Sequence, residues 1–172
     1  AVAENPGLRV TLAIPPHLLE EWRRISTGYE YAVNGDVVTV APDAAGPQAY
    51  GAVLGRLTKG MDSGRIELLS MGYSDPDLTS LATNDMLGDV TDQYQQGLST
   101  SFASLESTAS TGTAPAGGCV PPGAAELLTA EDIGYVVVGQ DCVRSDEATV
   151  GTGVYRASDS ALVVMVGDAP AE

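Results

Sequence analysis

The chain has a single histidine, so any mechanism that moves a proton through imidazole must use His17. Glu20 and Glu21 follow it by three and four positions, and a helix would place all three on one face. Such a trio offers half of a metal site, or a general base with an orienting carboxylate. The simpler reading is an exposed histidine beside two solvated glutamates, because this spacing is common by chance. Tyr29 and Tyr31 alternate onto one face of a strand, where exposed rings can stack on a sugar or on a partner's side chains. These five residues are the candidate ligand-binding set.

Asp85, Asp89 and Asp92 are spaced i, i+4, i+7 and would share a helix face. With Asp75 and Asp77 close in sequence, they are the candidate ligands for a hard cation such as calcium, which prefers oxygen donors. No EF-hand or nonapeptide calcium pattern accompanies them. Helical carboxylates also diverge too far to wrap an ion unaided, so a solvated acidic face competes with the metal reading. Asp141, Asp146 and Glu147 flank Cys142 and Arg144, and paired carboxylates can perform acid–base work on glycosides. No pocket is legible around them, and no catalytic set is assigned. Gly51-Ala52-Val53-Leu54-Gly55 and Gly151-Thr152-Gly153 match neither the Walker nor the dinucleotide pattern, so no cofactor is predicted.

Cys119 lies in a Gly/Pro loop and Cys142 at the end of a strand-like run. A bridge between them would close a 23-residue separation and contribute at most about 3.5 kcal/mol in the chain-entropy model. Two cysteines and one distant histidine fit no zinc spacing.

The elements that must hold these residues can be read from periodicity. Residues 8–14 alternate as a strand with Leu8, Val10, Leu12 and Ile14 on the inner face. Pro15-Pro16 ends it, and Pro16 suits the first position of a helix over 16–25 that carries Leu18, Leu19, Trp22 and Ile25 on one stripe. Two strands around Asn34-Gly35 form a hairpin, since that dipeptide favours a tight type I′ turn. A helix over 48–58 and a strand over 65–71 complete a βαββαβ order. That order predicts an α+β fold, mainly antiparallel, with two or three helices and a ferredoxin-like first half.

Asp75-Pro76-Asp77 reads as a helix start with Asp75 as N-cap. The helix would run to about residue 105, and its glycines, serines and threonines make it weak enough to break in two. Residues 107–123 form a Ser/Thr/Ala/Gly/Pro segment expected to be an exposed loop. Strands are predicted over 133–143, 153–156 and 161–166. The whole of 1–172 is expected to be one α+β domain.

Eight basic residues stand against 23 acidic ones, a formal charge of −15. That field repels nucleic acid and anionic lipid. No run approaches the ~20 apolar residues of a membrane span. The start at Ala1 fits a removed signal peptide or anchor. With the disulfide, it predicts an extracytoplasmic protein, secreted or tied to the cell envelope. The resulting expectation is a non-catalytic domain for protein recognition or envelope assembly, with another envelope or extracellular protein as partner. The alternatives are a small-ligand or calcium-binding protein, or a hydrolase using His17 or a carboxylate pair.

Overall fold

In the computed structural model, which describes residues 7–143, 151–156 and 161–167, strand β1 (Val10–Leu12) lies parallel to β4 (Ile66–Leu68). Val10 stands opposite Ile66, and Leu12 opposite Leu68. Beyond β4 the chain keeps pairing. Ser110 N–H donates to Leu68 O at 2.8 Å and Ser70 N–H to Gly112 O at 2.7 Å, which leads into β5 (Gly112–Thr113). β5 pairs in parallel with β6 (Tyr135–Gly139), and β6 with β8 (Val163–Gly167). β7 (Gly153–Arg156) closes that edge antiparallel to β8. The spatial order is therefore β1, β4, β5, β6, β8, β7.

Parallel neighbours need crossovers, and here the crossovers are helical. α1 (Pro16–Ser26) and α2 (Ala45–Asp62) lie between β1 and β4. α3 (Leu78–Thr83) and α4 (Asp89–Leu105) lead to β5, and α5 (Ala124–Ala130) leads to β6. Two apolar clusters join the helices to the sheet. Leu19, Leu54, Leu57, Leu68 and Leu105 form one, and Leu78, Val90, Tyr94, Leu128, Val136, Val138 and Val166 dominate the other. Because side chains alternate along a strand, Thr11, Glu67, Tyr135, Val137 and Met165 face away from these clusters. A parallel sheet with helices on one face is the geometry of a barrel wall, whereas doubly wound sheets carry helices on both.

The fold is mixed α and β, as expected, but the pairing differs from the predicted antiparallel, ferredoxin-like half. β2 (Tyr29–Val33) and β3 (Asp36–Val40) pair only with each other, so the hairpin leaves β1 free to take β4 in parallel. The hairpin turn itself is as predicted, with Asn34 and Gly35 both at positive φ (52° and 91°). The long helix is broken, since the chain turns through Asp85 at φ 59° between α3 and α4. Asp77, not Asp75, caps α3, accepting from Thr79 N–H at 2.9 Å and from the Ser80 hydroxyl at 2.8 Å. The segment 107–123 is not simply an exposed loop either. It contributes β5 to the sheet, and Thr113 is fully buried, in contact with the Tyr94 hydroxyl at 2.8 Å.

Gly97 of α4 packs directly on the backbone of Met71, and an added Cβ would strike Met71 O. Gly97→Ala should therefore destabilise by about 2 kcal/mol despite alanine's better helix propensity. Gly55 of α2 faces open space, so Gly55→Ala should stabilise by about 1 kcal/mol. Urea melts of both variants check this opposed pair.

Candidate functional site at the carboxyl edge of the sheet

Parallel α/β sheets place reactive groups at the carboxyl ends of their strands, where the connecting loops converge. Three of those ends meet here. The turn after β1 delivers Pro15, Pro16 and His17. The extension of β4 delivers Met71, Gly72, Tyr73 and Asp75. The turn after β5 delivers a short 3-10 segment, Ala116–Gly118.

His17 is held twice by Tyr73. Its backbone N–H donates to Tyr73 O at 3.1 Å, and its ring Nδ1 lies 3.1 Å from the same oxygen. A carbonyl oxygen only accepts, so Nδ1 carries a proton in this contact and Nε2 is the nitrogen left for a ligand. The Tyr73 hydroxyl donates to Glu20 Oε2 at 2.6 Å. This bond, then burial and the charges of Glu20 and Glu21, raise the Tyr73 hydroxyl above its ordinary pKa. Gln93 of α4 secures the same loop, with Oε1 accepting from Ser74 N–H at 3.0 Å and Oγ at 2.9 Å.

Asp75 is the residue that periodicity misassigned. It adopts a left-handed backbone (φ 51°), a conformation uncommon outside glycine and tolerated best by Asn and Asp. Its Oδ1 accepts from Ala116 N–H at 3.2 Å. Burial holds its carboxyl above the usual aspartate range, opposed in part by that N–H and by the electrostatic influence of His17. Tyr94 beneath the loop is pushed up to about 12, chiefly by burial, with the Asp75 charge adding to the shift. Asp77 is the opposite case. Hydrogen bonds from Ser80 and Thr79 lower its pKa, and the carboxylate is committed to capping α3.

The predicted Cys119–Cys142 disulfide is present, with Cα atoms 4.9 Å apart. It ties the turn after β5 to the short 3-10 segment Gln140–Cys142 after β6. It thus braces the peptide that donates to Asp75.

His17 and Glu20 therefore come together, through a tyrosine 53 residues beyond Glu20. Glu21 instead pairs with Arg24 at 3.5 Å on the exposed side of α1. Tyr29 and Tyr31 stand with ring centroids 6.0 Å apart on the hairpin, which begins beyond the far end of α1, roughly 16 Å from His17 along the helix axis. Asp85 lies in the turn before α4, so it does not share a helix face with Asp89 and Asp92. Among the described residues, no three His, Cys, Asp or Glu side chains are grouped to hold a metal ion. Asp141 follows β6 at the carboxyl edge, whereas Asp146 and Glu147 lie outside the described residues. No helix among the described residues is long and apolar enough to cross a membrane.

No family model and no curated protein matches the chain. Solved structures do. The chain is similar to the 4-alpha-glucanotransferase of Thermococcus litoralis, with a TM-score of 0.62 and 19% identity over 97% of this chain and 22% of that one. It is also similar to a GH57 branching enzyme from Thermococcus kodakaraensis, solved in complex with glucose, with a TM-score of 0.54 and 15% identity over 71% of this chain and 28% of that one. These likenesses show the fold. The chain spans less than a third of either structure. They also correct the expectation of a non-catalytic recognition or envelope-assembly domain, since the architecture is shared with parts of two enzymes, a glucanotransferase and a branching enzyme.

Asp75 binds its proton more tightly in the native state than in the unfolded chain. Its contribution is therefore fully present below the ordinary value of 3.8 and is lost as pH rises through the raised native value. Asn keeps the acceptor for Ala116 N–H and suits a left-handed backbone. Asp75→Asn should accordingly raise the melting temperature at neutral pH, with the gain vanishing by about pH 3.5. Calorimetric melts across that range measure it. Reducing the disulfide should lower stability by up to about 3.5 kcal/mol, read from melts with and without a thiol reductant.

Proposed function

We propose that the chain forms part of a carbohydrate-active enzyme, supplying one wall of its barrel and a sugar-binding edge built from His17, Tyr73 and Asp75. The observation that carries this reading is the polar group at the carboxyl edge of a parallel sheet with one-sided helix packing. Strained backbone at Asp75 supports it, because strain in a well-held loop often accompanies a functional site. The likeness to a glucanotransferase and a branching enzyme points to α-linked glucose polymers as the ligand class.

The chemistry at this edge suits a sugar. The Asp75 carboxyl accepts from, or when protonated donates to, a hydroxyl. His17 Nε2 offers an acceptor at the same edge, and the Tyr73 ring gives an apolar flank. A neutral polyol also suits a chain of charge −15, which would repel an anionic polymer. The disulfide supports an oxidising compartment for the protein, outside the reducing cytoplasm.

Affinity electrophoresis through gels containing soluble starch tests the reading. The protein should be retarded by starch and not by dextran, and Asp75→Asn and Tyr73→Ala should each weaken the retardation by about tenfold, the loss of one good polar or stacking contact. Equal mobility with and without starch would overturn it.

A further inference from the structure

The hairpin of β2 and β3 carries an apolar face that the body of the fold does not cover. Register sorts its two faces. Tyr29 lies opposite Val40, Tyr31 opposite Val38 and Val33 opposite Asp36, so alternation puts these six side chains on one face. Glu30 and Thr39 take the other face, where the Thr39 hydroxyl donates to Glu30 Oε1 at 3.2 Å. On the first face Tyr29 is 38% exposed, Tyr31 46%, Val33 43% and Val38 38%. Among the described residues, neither strand pairs beyond the hairpin. Two strands alone are marginal in water, and a contiguous exposed apolar patch marks a place of contact with something else.

The hairpin is built to hold its shape. Asn34 and Gly35 fix the turn at positive φ. At the root, Gly28 (φ 87°) lies so close to Val40 O and Pro42 that a side chain would not fit. The two tyrosine rings stand with centroids 6.0 Å apart and planes inclined by 40°. Rings held in place beforehand lose little entropy on binding.

Charge narrows the choice of occupant. From Gly28 to Ala44 the chain carries Glu30, Asp36 and Asp43 and no lysine or arginine. A second copy on this face would bring like charges together, each chain carrying −15 overall. The same field repels an anionic polymer or lipid surface. The ring face itself holds one carboxylate, Asp36 at the tip, too little to draw a basic protein here rather than elsewhere on the acidic surface. A neutral ligand meets no electrostatic barrier. A pyranose has apolar C–H faces for the tyrosine rings and hydroxyls for Asp36 and the phenol oxygens. The inclination of the rings favours one linkage. Successive units of an α-linked glucan turn relative to one another, whereas an extended β-linked chain is flatter and suits coplanar rings.

We propose that the Tyr29–Tyr31 face docks an α-linked glucan chain, as an auxiliary surface at the far end of α1 from His17. The ligand class rests on the carbohydrate reading above, but the surface uses none of His17, Tyr73 and Asp75. A long glucan held on the hairpin raises its own effective concentration at the carboxyl edge.

Electrophoresis through gels containing soluble starch or hydroxyethylcellulose, a soluble β-linked glucan, tests this. Tyr31→Val removes the ring and keeps a strand-forming side chain. It should melt with the wild type and weaken starch retardation about tenfold, the loss of one stacking contact. Tyr29→Val, at the second ring, should do the same, and Tyr31→Phe should run as the wild type. Val37→Thr lies on the opposite face and should also run as the wild type. Hydroxyethylcellulose should retard none of them. Starch retardation weakened in Tyr73→Ala and Asp75→Asn but intact in both valine variants overturns the hairpin site alone. The reverse pattern supports the hairpin and overturns the carboxyl edge alone. Equal loss in Val37→Thr, stronger retardation by the β-linked glucan, or a dimer in sedimentation that Tyr31→Val dissolves also overturns the proposal.

Discussion

Parallel pairing of β1 with β4 sets the terms for everything else in the molecule. Two parallel strands cannot be joined by a tight turn, so the chain must leave one end of the sheet and return to the other. The 53 residues between them, from Ala13 to Arg65, make that journey through α1, the hairpin and α2. The same demand recurs between β4 and β5 and between β5 and β6. Each return brings a helix back onto the sheet, and the apolar side chains of those helices leave one face covered and the other for the polar row of Thr11, Glu67 and Tyr135. The candidate site lies at the carboxyl edge for the same reason, because every crossover starts there.

The strands themselves are short. β1 and β4 have three residues each and β5 has two. Their ladder hydrogen bonds alone would hold such a sheet poorly. The loops compensate. His17 and Tyr73 lock the turn after β1 to the extension of β4, and Gln93 locks that extension to α4. Ala116 and the disulfide add the turns after β5 and β6. Side chains that position the candidate site thus also hold the sheet's edge together, and the strain at Asp75 is sustained by this network.

Local signals were legible where local chemistry decides the structure. The hairpin follows from Asn34-Gly35, the first helix from Pro16 and its leucine stripe, and the disulfide from two cysteines flanking a Gly/Pro loop. Pairing direction was not legible, because alternation looks alike in parallel and antiparallel strands. β5 was hidden because Gly112 and Thr113 lack any apolar pattern. Gly112 is there because the Tyr135 ring leaves no room for a side chain, and that ring comes from a strand 23 residues on. His17 and Glu20 stood out as a pair, but Tyr73, which joins them, could not be seen from helical spacing. Asp75 carries a local signal that points to the wrong role. Its place before Pro76 favours a helix cap, yet Asp77 takes that role because its side chain reaches Thr79 N–H.

That exchange of roles explains why Asp75 and Asp77 differ chemically although two residues apart. Capping exposes Asp77 to an N–H and a hydroxyl at the positive end of α3, and both favour its charged form. Freed from capping, Asp75 turns back beneath Ala116, where burial favours its neutral form and a single N–H only partly offsets it. The left-handed backbone at Asp75 is what separates the two. The Cys119–Cys142 bridge keeps Ala116 over Asp75 from the other side. The bridge thus has a consequence beyond stapling a low-propensity segment, since it helps to set the environment of the Asp75 carboxyl, which burial holds above its ordinary range.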